Sequence, residues 1–231
     1  MDVRERYQQA QEAAREGRHE EALREYLWFH EHALEHEPAM YGVRLSFALG
    51  AWLELGQVYP KALAALKEIR DRKTMQLASG SGNRELFHDV ESINECLEED
   101  RATYELFLKL QAINPALARE CAGLAMPAVV KATDFRLARN FIGDPAAKIR
   151  KWSAVLNEDI ADLAKEPPRD APVQDAYVHI YAERVSLLLA VLNGVGERAE
   201  AESLKQMALA SIESAPVRDA VVAALANAAE A

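Results

Sequence analysis

A motif that returns every 40 residues constrains this chain more than any other feature. Ala22, Ala62 and Ala102 are each followed four residues later by a bulky apolar or aromatic residue, Tyr26, Leu66 and Leu106. Eighteen residues before each alanine stands an arginine, Arg4, Arg44 and Arg84. Three residues after each arginine comes an aromatic, Tyr7, Phe47 and Phe87. A period of this length, with an i, i+3 element and an i, i+4 element inside it, is the mark of a helical unit that buries its apolar face only by stacking on its neighbours.

Each unit reads as two antiparallel helices. In the first, a helix over 3–16 turns at Gly17 into a helix over 19–36, which Pro38 stops. The second places a helix over 40–55, a turn at Gly56, and a helix opening on Pro60, where the missing N–H costs nothing, and running to 77. The third follows Gly80-Ser81-Gly82, with Leu86, Phe87, Val90, Ile93, Asn94 and Leu97 at helical spacing. Asp100 reads as the N-cap of its partner helix, which ends before Asn114-Pro115.

These residues resemble the tetratricopeptide family, whose signature runs Trp, Leu-Gly, Tyr, Ala, Phe and Pro across a helix pair. The second unit carries Leu49-Gly50, Leu53, Ala62 and Leu66; the first carries Ala10, Ala13, Gly17, Ala22, Tyr26 and Pro38. The signature tryptophan is absent from every unit, and the period is 40 rather than the family's 34. The resemblance covers residues 1–115 and implies an all-α, right-handed α-solenoid of helix hairpins that binds a peptide or protein in a concave groove.

The second half, 116–231, continues as helices without a clean repeat, giving about 11–12 helices in one continuous domain. Expected helices cover 115–132 (kinked or split near Pro127), 134–142, 145–165, 171–193, 197–213 and 215–230. Lys165-Glu166-Pro167-Pro168-Arg169-Asp170 is the best linker, and Asp144-Pro145 and Ser214 are helix starts. The helix over 173–192 is apolar on more than one face and is expected to lie between neighbours; the alanine-rich last helix reads as a terminal cap or a homodimer face. Glycine (10) and proline (9) are scarce, as helices require. The charged start, the lack of an 18-residue apolar run and two isolated cysteines, Cys96 and Cys121, point to a reduced cytoplasmic protein with no membrane span.

By the resemblance, Arg4, Arg44, Arg84, Tyr7, Phe47 and Phe87 occupy first-helix positions that face the groove, with Gln11, Glu54, Glu91 and Asn94 at further groove positions. An arginine ladder beside aromatics would hold an extended acidic peptide through bidentate hydrogen bonds and stacking. The competing reading makes the aromatics core and the arginines solvated or paired with glutamates.

A secondary basic patch lies in Lys131, Arg136, Arg139, Lys148, Arg150 and Lys151, against only Asp134 and Asp144 in that segment. The net charge of −10 and the lack of a nucleic-acid motif argue against nucleic acid, and read the patch as a solvated face balanced by acidic neighbours. His32-Ala33-Leu34-Glu35-His36 matches H-x-x-E-H, the inverted zincin pattern, but it falls inside a repeat helix and lacks the catalytic domain of that class. No phosphate-cradling loop or nucleophile context is present, so no catalytic residue, metal or cofactor is expected. The first alternative to a groove-binding scaffold is an obligate oligomer subunit that uses its apolar C-terminal helices, and a remote one is a zinc-dependent hydrolase through the H-x-x-E-H match.

Overall fold

The computed structural model describes residues 2–165 and 172–230 and is all-helical among them. Thirteen α-helices and one short 3-10 turn make up two compact units, Met1–Ala128 and Val129–Ala231. Of the expected 165–170 linker, all but Lys165 lies outside the described residues.

The first unit opens with α1 (Val3–Arg15), started by a capping box in which Asp2 and Glu5 satisfy each other's end of the first turn. Gly17, at a positive φ of 78°, reverses the chain into α2 (His19–His36). Ala10, Ala13 and Ala22 are fully buried where these helices meet, and their small side chains let the backbones approach closely. After Pro38–Met40 come the short α3 (Tyr41–Leu45), α4 (Phe47–Val58), α5 (Pro60–Ala78), α6 (Arg84–Cys96) and α7 (Asp100–Ile113). The α1/α2, α4/α5 and α6/α7 pairs each pack together, and α5 also packs on α6 and α7. The last helix to begin in this unit is α8 (Pro115–Lys131).

Four sequence expectations are decided here. The helix expected over 40–55 is broken at Ser46, whose φ of −127° and ψ of −89° leave the helical region. Gly56 lies inside α4 rather than at a turn: it is the buried crossing point with α5, where an added Cβ would stand 3.0 Å from Cβ of Leu63. Asp100 is the first residue of α7, not its cap; Glu99 holds the cap position without a side-chain bond. At Pro127 the chain stays in one helix from Pro115 to Lys131.

The break at Ser46 shifts the phase of the repeat. Ala10 and Ala13 are buried in α1, and their 40-residue and 80-residue counterparts predict burial at Gly50, Leu53, Val90 and Ile93. Val90 and Ile93 comply, but in α4 Gly50 and Leu53 are only partly buried while Leu49 and Trp52, one position earlier, are fully so. One residue is about 100° around a helix, enough to exchange an inward side chain for an outward one. Trp52 then fills the centre of the unit, stacked 6.2 Å from Tyr26, with its indole N–H donating to the Ala62 carbonyl at 2.9 Å.

The second unit comprises α9 (Phe135–Phe141), α10 (Pro145–Leu163), α11 (Pro172–Gly194), α12 (Arg198–Ala210) and α13 (Ala215–Glu230). As its apolar faces require, α11 lies against α9, α10, α12 and α13 and buries Val185, Leu188, Val191 and Leu192. Tyr181 ties it to two neighbours, with its hydroxyl 2.8 Å from the Ser153 hydroxyl and donating to the Ala208 carbonyl at 3.0 Å. Asp144 caps α10 by accepting from the Ala147 N–H at 2.9 Å. Gly194 is required for close approach: a Cβ there would fall 2.1 Å from the Phe135 ring.

A candidate binding groove

Three first helices, α1, α4 and α6, border a surface cavity of about 550 Å³. Tyr7 and Gln11 come from α1; Phe47, Gly50, Ala51 and Glu54 from α4; Ser92, Glu95 and Cys96 from α6. A neighbouring cavity of about 310 Å³ shares Gln11, Ala51 and Glu54 and adds Arg15 and Val58. Phe47, Ala51, Glu54 and Val58 stand at i, i+4, i+7 and i+11, so they form one stripe along α4. Phe47 is 74% exposed and Val58 66%, the first and third most exposed large apolar side chains of the described residues. Gly50 adds no side chain to this face, and a Cβ there would meet nothing within 4 Å.

Of the ten residues placed in the groove from sequence, four line it: Tyr7, Gln11, Phe47 and Glu54. The arginine ladder is corrected. Arg4 is exposed and pairs with Glu37 at 2.6 Å, and Arg84 is exposed at the start of α6. Arg44 is buried, because the break at Ser46 leaves it on α3, turned inward. Phe87 is fully buried core, 6.5 Å from the Phe107 ring. Asn94 is also fully buried; its amide donates to the Thr103 hydroxyl and its carbonyl accepts from Arg70 at 2.8 Å. Glu91 lies one turn before Glu95 and is largely buried, its carboxylate 3.9 Å from the His88 ring and accepting a 3.3 Å bond from Ser92. Burial, reinforced by the Glu95 charge, pushes the Glu91 carboxyl up to about 7.

The first unit also holds a buried ionic network that the sequence reading missed. Arg44 binds Asp89 through both terminal nitrogens and donates to the His30 carbonyl at 3.2 Å. Lys73 also donates to Asp89 and stands 3.0 Å from Nε2 of His30. Helices α2, α3, α5 and α6 are thereby joined at one point. Burial, with the Lys73 and Arg44 charges adding to it, drives the His30 imidazole down to about 3, so it is neutral in the fold. Burial also lowers the Lys73 ammonium, although Asp89 opposes the shift.

The other candidates stay apart. In the basic segment Arg139 is held by Glu197 at 2.8 Å and Glu200 at 3.9 Å, and the Lys148 ammonium is partly buried and pushed down by that burial. Lys131, Arg136, Arg150 and Lys151 are exposed. In the H-x-x-E-H segment Nδ1 of His32 lies 3.3 Å from Glu35, while His36 stacks 5.6 Å from the Trp28 ring, which Arg6 covers from 3.9 Å. Among the described residues no three His, Cys, Asp or Glu side chains gather as a metal would need, and no helix is long and apolar enough to cross a membrane. The exposed apolar residues of the second unit, Val155, Val173, Ile180 and Val222, each leave at least a third of the side chain open.

Gly50, Ala51 and Val58 were legible in principle. The i, i+4, i+7, i+11 pattern of α4 reveals the stripe once the helix is known to start at Phe47 rather than at 40. Comparison with protein-family models, with curated proteins and with solved structures finds no match to this chain.

Proposed function

We propose that this chain is a protein-interaction module, a tetratricopeptide-like stack of helix hairpins that takes a segment of a partner protein in the groove between α1, α4 and α6. The observation that carries this reading is the α4 stripe. Phe47 and Val58 expose most of their apolar surface to water on a helix that buries Leu49, Trp52 and Leu55 on its other side. A core helix gains nothing from such exposure, whereas a partner covering it recovers the burial, at about 25 cal/mol per Å² of apolar surface. Gly50 keeps the floor between them open for a backbone or a large side chain.

Selection from a displayed library of random 12-residue peptides tests the proposal. Peptides selected on the full chain should lose binding to Phe47→Ala and to Gly50→Gln, which fills the floor from inside. Selected peptides that bind both variants undiminished would place the binding surface elsewhere.

A further inference from the structure

Resting on that reading of the groove, we infer that its occupant is a segment carrying a Lys or Arg side chain next to apolar residues, rather than an acidic segment. The larger cavity is lined by two carboxylates, Glu54 and Glu95, and by no basic side chain. Both are exposed, and neither makes an ion pair among the described residues. Elsewhere in the unit several carboxylates are engaged: Glu37 with Arg4, Glu25 with Arg6, Glu31 with Arg72, Glu99 with Arg70 and Lys67. Glu54 and Glu95 face the cavity without such a partner among the described residues.

The neutral groups around the cavity register this negative field. Burial raises the Tyr7 phenol and the charge of Glu54 adds to the rise; burial raises the Cys96 thiol and the charge of Glu95 adds to it. A cation entering the cavity offsets that field, because its charge opposes that of the two glutamates. Arg15 lines only the smaller cavity, toward Val58, so the seat for the cation lies on the Phe47 and Glu95 side.

The stripe also sets a spacing. Seven residues separate Phe47 from Glu54 and four separate Glu54 from Val58. At the helical rise these are roughly 10 Å and 6 Å, so apolar side chains stand on either side of Glu54 at those distances along the stripe. The chain's overall charge of −10 draws such a segment in from solution at low salt.

The same random-peptide selection, carried out on the full chain and on Glu54→Lys/Glu95→Lys, decides the matter. Both positions are exposed, so the reversed protein should keep its helical circular dichroism. Wild-type selection should enrich Lys or Arg beside Leu, Phe or Trp, and the reversed protein should enrich Asp or Glu. The best wild-type peptide should bind Glu54→Gln/Glu95→Gln about tenfold more weakly, with a smaller dependence on salt. Enrichment of acidic or uncharged peptides that still require Phe47 would overturn the cation preference while leaving the groove in place. Failure to enrich any peptide that requires Phe47 would overturn the groove itself.

Discussion

Arg44 holds Asp89, 45 residues away in sequence, through both guanidinium nitrogens at a point where each residue is more than nine-tenths buried. That pair fastens α3 to α6, and Lys73 and His30 bring in α5 and α2. Of the three helices that border the groove, it holds α6 directly.

Removing one member should therefore cost more than removing both. Arg44→Met leaves Asp89 buried with Lys73 alone, and the expected loss of stability is about 3–5 kcal/mol. Arg44→Met/Asp89→Leu should recover much of it. Lys73→Met should cost less than Arg44→Met, because Asp89 keeps its two-pronged partner. Urea denaturation of the four proteins at one pH measures each difference.

Two buried groups give opposite pH slopes. His30 is pushed down to about 3 from an ordinary 6.5, so the unfolded chain binds the extra proton between those values. Its contribution to stability is present above about pH 6.5 and is lost as pH falls toward 3. Glu91 is pushed up to about 7 from an ordinary 4.5, so the folded chain holds the extra proton. Its contribution is present below about pH 4.5 and is lost as pH rises to 7. Between pH 4.5 and 6.5 the two slopes oppose each other. Glu91→Gln removes one of them, and should make stability fall more steeply on acidification from pH 7 to 4.5 than in the wild type. It should also stabilise the protein at pH 8, by an amount on the order of 3 kcal/mol. Denaturation midpoints across that range check both outcomes.

Glycine-to-alanine changes usually stabilise a helix by about 1 kcal/mol, but two here should do the reverse. At Gly194 a Cβ falls into the Phe135 ring, and at Gly56 it presses on Leu63. Gly194→Ala should cost about 1–3 kcal/mol, and Gly56→Ala a smaller amount, since its closest approach is 3.0 Å rather than 2.1 Å. Gly50→Ala, facing open space, should be neutral or slightly stabilising. Thermal melts of the three variants rank them.

Groove residues should be dispensable for folding. Phe47→Ala and Val58→Ala remove side chains 74% and 66% exposed, so each should change stability by less than about 0.5 kcal/mol. Trp52→Ala, from the opposite face of the same helix, should cost about 3–5 kcal/mol. A loss of peptide binding in Phe47→Ala without a shift in its denaturation midpoint separates the binding face from the core.

The sequence by itself determined what is local. The limits of α2 at His19 and His36, the turn at Gly17, the start of α5 at Pro60 and the cap at Asp144 follow from backbone preferences within a few residues. Burial of Ala10, Ala13, Ala22, Ala62 and Leu66 follows from the repeat, since helical period fixes which residues share a face. Only the tertiary structure decided which way the Arg-x-x-aromatic element points. Arg4 is outside, Arg44 inside and Arg84 outside; Tyr7 is half-buried, Phe47 exposed and Phe87 buried. Residue class is preserved across the 40-residue period, but side-chain direction depends on helical phase, and the break at Ser46 resets that phase by about 100°. The buried Asp89 and His30, reached by Arg44 and Lys73 from other helices, repay the burial of Arg44, and no local pattern records that compensation.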